Sequence, residues 1–150
     1  MVRKKTVSEL IKPDTLVSLA PETTVGDAAR KMLDRQVGLV VVVEGEIAVG
    51  IVTERDINFR VVAHSLNAEK TTLAEIMTPN PVLMPPETDL AEALRLVVTR
   101  YFRFAVVGSA GRVVGVVPVS LIFGEISRAM DDDITDIDRF IKGEVLAPRH

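Results

Sequence analysis

The chain contains no cysteine, which excludes a disulfide framework and any thiolate metal site. Its two histidines, His64 and His150, do not make a histidine metal site. The acidic run Asp131-Asp132-Asp133 with Asp136 lacks the central glycine and terminal glutamate of a calcium loop, and reads as a solvated helix start. The longest strictly apolar run, Leu39 to Val43, is far short of the roughly 20 residues that a membrane span requires. Met1-Val2-Arg3-Lys4-Lys5 is basic, but no apolar segment of a secretory leader follows it. The net charge is −3, so the overall basic footprint of a nucleic-acid binder is missing and Arg3-Lys4-Lys5 reads as a solvated tail. Nothing places a nucleophile or a partner acid beside Asp14, Asp27, Glu54 or Glu92, so no catalytic residue is nominated. These absences fit a non-enzymatic protein of the cytoplasm.

What is present is apolar bulk and a repeat. Hydrophobic residues make up 47% of the chain and the mean hydropathy is +0.27. Without a membrane span, that surplus points to oligomerisation. Pro21-Glu22-Thr23-Thr24-Val25 recurs as Pro86-Glu87-Thr88-Asp89-Leu90, 65 positions on (86 − 21). The same offset carries Ala28 to Ala93, Arg30 to Arg95, Val41-Val42 to Val106-Val107 and Gly50 to Gly115. A lead-in, Thr6-Val7-Ser8-Glu9-Leu10-Ile11, matches Thr72-Leu73-Ala74-Glu75-Ile76-Met77 at an offset of 66 (72 − 6). The repeats therefore span about 6–66 and 72–130, followed by an acidic tail over 131–150. A half of this size buries surface inefficiently alone, so the two halves are expected to share one core.

Each repeat reads as helix, strand, turn, strand, helix. Val25, Ala28, Ala29, Met32 and Leu33 fall on one helical face, and Leu90, Ala93, Leu94, Val97 and Val98 repeat it. Thr24 and Asp89 are their expected N-caps. Leu39–Val43 with 47–52, and 103–107 with 112–117, read as hairpins of buried β-branched strands. Second helices are expected near 54–65 and 119–130. A further short helix over 133–142 would put Ile134, Ile137, Phe140 and Ile141 on one face.

The chemistry concentrates where the first hairpin meets its helix, at Gly50-Ile51-Val52-Thr53-Glu54-Arg55-Asp56. Unpaired N–H groups of a first helical turn favour an anion. The Thr53 hydroxyl and Arg55 suit a phosphate, and the Asp56 carboxylate suits two vicinal ribose hydroxyls. Thr-x-x-Asp is equally a helix-capping signature, and the two readings are compatible. At the matching positions of the second repeat stand Pro118 and Leu121, which offer neither a hydroxyl nor a carboxylate.

Two tandem units with a Gly-apolar-apolar-Thr-x-x-Asp ending resemble the cystathionine β-synthase (CBS) domain pair, or Bateman module, from about Thr6 to Met130. The resemblance implies an α/β fold in which two β-α-β-β-α repeats pack as a pseudo-twofold pair, sheets facing and helices outside. It implies two clefts able to hold AMP, ADP, ATP or S-adenosylmethionine as regulatory ligand, with no required cofactor. In the first cleft Asp56 would hold the ribose, Thr53 and Arg55 would meet phosphate, and Ile51 would line the base. Thr72, Pro79 and Pro81 of the second lead-in, with Tyr101, Phe102 and Arg103, would complete it. Tyr101 also continues a helical stripe, so core packing and ligand contact stay open for it. The weaker second cleft would be lined by Thr6, Val37, Gly38, Leu39, Val116 and Ser120. The family implies a homodimer and a separate regulated partner. A ligand-free scaffold of the same fold is the alternative.

Overall fold

The computed structural model describes residues 4–141, with side chains as far as Asp132. Arg3, the expected apolar face of Ile134, Ile137, Phe140 and Ile141, the side chains of Asp133 and Asp136, and residues 142–150 including His150 lie outside the described residues.

The β-branched runs form the two hairpins that build the sheets. In the first sheet β1 (Ser18–Leu19) pairs parallel with β2 (Leu39–Glu44). β2 pairs antiparallel with β3 (Ile47–Thr53), which pairs antiparallel with β4 (Thr78–Pro79). The second sheet joins β5 (Phe104–Ser109) to β6 (Arg112–Pro118), and Met84 bridges parallel to Val107 beside it. That bridge is the repeat-two counterpart of Leu19 opposite Val42, 65 positions earlier. Both hairpins shift register at the same place, between Val42 and Val43 and between Val107 and Gly108.

The strands bury both faces, and their residues divide by parity. Val40 and Val42 pack under the helices of the first unit, and Ala105 and Val107 under those of the second. Leu39, Val41, Val106 and Val116 meet between the sheets, with Phe104 and Ile51 at the margin. This central layer makes one body of the two repeats. At the hairpin tips the Ala48 N–H donates to the Gly111 carbonyl (2.8 Å), and Arg112 pairs with Glu46.

The helices are α1 (Val25–Arg35), α2 (Glu54–Ile57), α3 (Leu73–Ile76), α4 (Leu90–Thr99) and α5 (Val119–Ile141). Thr24 and Asp89 cap α1 and α4 as expected, accepting from Asp27 N at 3.1 Å and Glu92 N at 2.9 Å. Two expectations are corrected. The second helix of repeat one is not regular: α2 passes into a π-helical turn, Asn58–Val62, where the Ala63 N–H reaches the Asn58 carbonyl. The second helix of repeat two does not stop near 130 but runs on to Ile141 as one element with the expected tail helix. No proline or glycine interrupts the chain between Glu125 and Ile141, which removes the usual stop signals.

The lead-ins are exchanged in space. A 3-10 turn, Val7–Leu10, follows the chain start yet packs on repeat two, where Val7 and Ser8 donate to the carbonyls of Thr88 and Pro86 and Leu90 donates to Lys5. α3 packs on repeat one through the equivalent three bonds: Leu73 to Thr23, Ala74 to Pro21, and Val25 to Thr71. Val7 thus belongs to the second helical core, and Leu73 and Ile76 to the first. Two glycines admit the exchanged segments. A Cβ on Gly50 would stand 2.4 Å from Met77 Sδ, and one on Gly115 would stand 2.6 Å from two carbons of Ile11.

An exposed ion cluster fastens the loop before α3 to α1. Arg30 donates to both Glu69 oxygens (2.8 and 2.9 Å) and to Asp27 (2.8 Å). The Arg30 guanidinium holds both carboxyls below their ordinary range.

Adding a Cβ at either glycine tests the exchange. Ile11 is branched at Cβ and stiff, whereas Met77 yields, so Gly115→Ala should destabilise by about 1–3 kcal/mol and more than Gly50→Ala, by urea denaturation. Equal losses would contradict this packing. The lowered carboxyls contribute stability that is complete above the ordinary carboxylate range and lost as pH falls through their folded values. Glu69→Gln should therefore flatten the acid limb of the stability–pH curve and leave its shape near neutrality unchanged.

Candidate functional site

Thr53 ends β3, and extended backbone there (φ −103°) turns the chain into α2. Opposite it lies Leu39, and Ile51 stands between Val41 on one side and Thr78 on the other. The Asp56 N–H donates to the Thr53 hydroxyl (3.1 Å), and the Thr53 N–H donates to Asp56 Oδ2 (2.9 Å). This is the reciprocal cap that the sequence allowed. The other carboxylate oxygen, Oδ1, faces Arg60 Nη2 at 3.7 Å. Arg60 also donates from Nη1 to the Ile76 carbonyl at 2.7 Å, linking Asp56 to the end of α3. The Asp56 side chain keeps 15% of its surface exposed, so it is not sealed from solvent.

Beside this cap, Arg55 lies over the Phe59 ring, 4.9 Å from its centroid. Arg55, Phe59, Glu54, Asn58 and Arg103 line one shallow concavity, which brings Arg55 and Arg103 together from opposite repeats. Pro79 flanks the strand at Gly50, and Pro81 is half-buried just beyond it. Other expected partners stand elsewhere. Phe102 borders a cavity of about 70 Å³ with Leu83, Met84 and Leu96. Tyr101 joins neither the core nor the concavity: it is 93% exposed, because a left-handed turn (φ 57°) after α4 swings it into solvent. Thr72 bridges Thr24 and donates its N–H to Glu75, a capping role at the exchanged junction.

The second cleft holds a cavity of about 260 Å³. Val37, Gly38, Leu39, Val116 and Ser120 line it together, with Pro118 and Leu121 where the first repeat has Thr53 and Asp56. A Cβ on Gly38 would stand 3.0 Å from the Phe104 ring, so the glycine keeps that wall open. Thr6 does not line it. Thr6 bridges Asp89 and bonds Ser8 and Glu9, the counterpart of Thr72. Sequence reading missed Lys12, Thr15 and Gln36 in this wall. The repeat offset held the signal for Gln36, which stands 65 positions before Tyr101. It gave none for Arg60, which pairs with Asp56 four residues earlier and reaches the Ile76 carbonyl of a different segment. Among the described residues no His, Asp and Glu cluster holds a metal geometry, and no helix is long and apolar enough to cross a membrane.

Comparison with known proteins matches this architecture. A CBS domain-containing protein of Arabidopsis thaliana is 31% identical over 133 residues, covering 87% of this chain. The chain spans only 23% of that relative's length. A conserved protein of Pyrococcus horikoshii has a solved structure with a TM-score of 0.74 and 29% identity, over 85% of this chain and 96% of that one. The Arabidopsis CBS-pair protein CBSX2, solved in complex with AMP, superposes with a TM-score of 0.68 at 22% identity, over 83% of this chain and 98% of that one. The profile of the CBS domain matches residues 7–62 and again 73–128, the same two halves that face each other across the sheets, and the chain thus belongs to the CBS domain family as a tandem pair.

Proposed function

We propose that this CBS pair is a regulatory module that binds an adenine nucleotide in the first cleft and passes the change to a partner protein. The carrying observation is Asp56, whose carboxylate is fixed by the Thr53 N–H while its side chain stays partly exposed at the strand end. A fixed acceptor suits the two hydroxyls of a ribose, because no further ordering is needed on binding. Thr53, Arg55 and Arg103 supply groups for phosphate beside it. The AMP complex of CBSX2 supports an adenosyl ligand for this architecture.

A scaffold reading has one observation in its favour: Thr53 and Asp56 already bond each other, and a helix cap needs no ligand. The cavity of the second cleft gives a second place for a small molecule, with Lys12 as its cation. The exposed apolar residues Leu33, Val62, Val98 and Phe123 support a homodimer formed through the helices.

Calorimetric titration of AMP, ADP, ATP and S-adenosylmethionine into wild type, Asp56→Asn and Asp56→Ala decides between these readings. One saturable site per chain, weakened at least tenfold by Asp56→Asn, is expected, since that change keeps one carbonyl acceptor for the cap and loses the charge. Binding that ignores Asp56 would move the ligand to the second cleft, and no binding to nucleotide-free protein would leave the scaffold. Sedimentation velocity should give about twice the mass of the 16.4 kDa chain, and Leu33→Glu with Val98→Glu should return it to the monomer. A monomeric wild type would refute the dimer.

A further inference from the structure

Arg60, in the π-helical turn Asn58–Val62, makes two contacts that belong to different parts of the molecule. Its Nη2 faces Asp56 Oδ1 at 3.7 Å, and its Nη1 donates to the Ile76 carbonyl at 2.7 Å. The first contact ends at the carboxylate that the Thr53 N–H already fixes. The second ends at the last residue of α3, the lead-in that has crossed to repeat one. One guanidinium therefore spans the cap at the strand end and the exchanged segment.

Repeat two provides an internal comparison. The position 65 residues on from Arg60 is Glu125, and it too ties an exchanged lead-in, pairing with Lys5 beside the Val7–Leu10 turn. At this position each repeat thus spends a charged side chain on the lead-in packed against it. The difference lies at the other end of the tie. Arg60 has the Asp56 carboxylate four residues before it, whereas Glu125 has Leu121. The other partner of Glu125 is Arg128 of its own helix, at 2.6 Å. The tie of repeat one is connected to a polar group of its cleft, and the tie of repeat two is not.

At 3.7 Å the contact with Asp56 is too long for a hydrogen bond. It acts by charge, and Oδ1 retains acceptor capacity. A hydroxyl that donates to Oδ1 spreads the negative charge and weakens the attraction for the guanidinium. The bond to the Ile76 carbonyl must then offset alone the entropy of ordering a long side chain.

We propose that Arg60 is a positioning residue that couples the first cleft to the docking of the second lead-in: a ribose held by Asp56 loosens α3 from repeat one. This rests on the nucleotide reading of that cleft. The coupling is reciprocal, so loss of the Arg60 tie favours the ligand. Arg60 is half-exposed, which limits the effect to about two- to fivefold.

Amide hydrogen exchange read residue by residue by NMR tests the coupling. The Leu73 and Ala74 N–H groups donate to Thr23 and Pro21 and report the docking of α3. Those of Val7 and Ser8 make the equivalent bonds of the first lead-in and are the control. AMP should speed exchange at Leu73 and Ala74 by about two- to fivefold and leave Val7 and Ser8 unchanged. Arg60→Met keeps the stem and loses both contacts. It should speed the same two amides without AMP, erase the effect of AMP, and bind AMP more tightly than wild type by calorimetry. An arginine that only supports the fold would weaken binding instead. Asp56→Asn should act on Leu73 and Ala74 in ligand-free protein as Arg60→Met does, and the double variant should add nothing. Glu125→Gln should speed Val7 and Ser8 and leave the response to AMP intact. Unchanged Leu73 and Ala74 in ligand-free Asp56→Asn, or all four amides moving together, would overturn the tie whether or not AMP binds. AMP binding that leaves α3 as protected as before would overturn the coupling while leaving the nucleotide site standing. No binding of AMP to folded wild type would end the nucleotide reading and the coupling with it.

Discussion

The six backbone hydrogen bonds of the exchanged lead-ins hold the rest of the molecule in place. They fix Val7–Leu10 against the start of α4 and α3 against the start of α1, and so decide which helix covers which sheet. Because the exchange is reciprocal, neither helical core is complete without a segment from the other end of its repeat boundary. The strand end at Thr53 inherits its surroundings from this arrangement. β4 lies beside Ile51 only because α3 has crossed to repeat one, and Arg60 meets the Ile76 carbonyl for the same reason.

The two clefts show how side-chain chemistry diverges while the backbone stays the same. Glu54 donates to the Gly38 carbonyl at 3.0 Å, and Val119 donates to the Arg103 carbonyl at 2.9 Å, at matching positions of the two repeats. In repeat one the Thr53 N–H needs an acceptor and Asp56 provides it. In repeat two Pro118 has no N–H and Leu121 has no carboxylate. Donor and acceptor disappeared together, so no unsatisfied polar group remained to weaken the fold. Loss of the motif in the second cleft was therefore structurally cheap, and a cavity lined by both apolar and polar side chains stands in its place.

Much of this was legible in the sequence because it rests on local rules. Apolar spacing located α1 and α4, the caps Thr24 and Asp89 fixed their starts, and the valine runs marked both hairpins. Thr53 and Asp56 were legible because a strand end followed by Thr-x-x-Asp has few alternatives. The failures are those of long-range or backbone origin. Tyr101 continues a helical stripe in sequence, but the left-handed residue that ends the helix turns it outward. Thr6 and Thr72 begin lead-ins whose exchange no periodicity records, so their capping at the exchanged junctions was not legible. The π-helical turn after α2 and the β1 and β4 pairings, each two residues long, carry no periodic signal at all.

The exchange also orders events during synthesis. A ribosome delivers Ser18 to Val62 before Leu73 exists, so the first helical core stays open until the second lead-in has emerged. The second core requires Val7, made before the whole of repeat two, to remain unburied until α4 and the second hairpin arrive. The first lead-in is thus held in reserve until repeat two has been made, and its cluster joins segments that lie far apart in the chain. A nascent chain arrested at the repeat boundary carries an apolar lead-in with no surface of its own to cover, which is the kind of segment that chaperones and neighbouring copies capture.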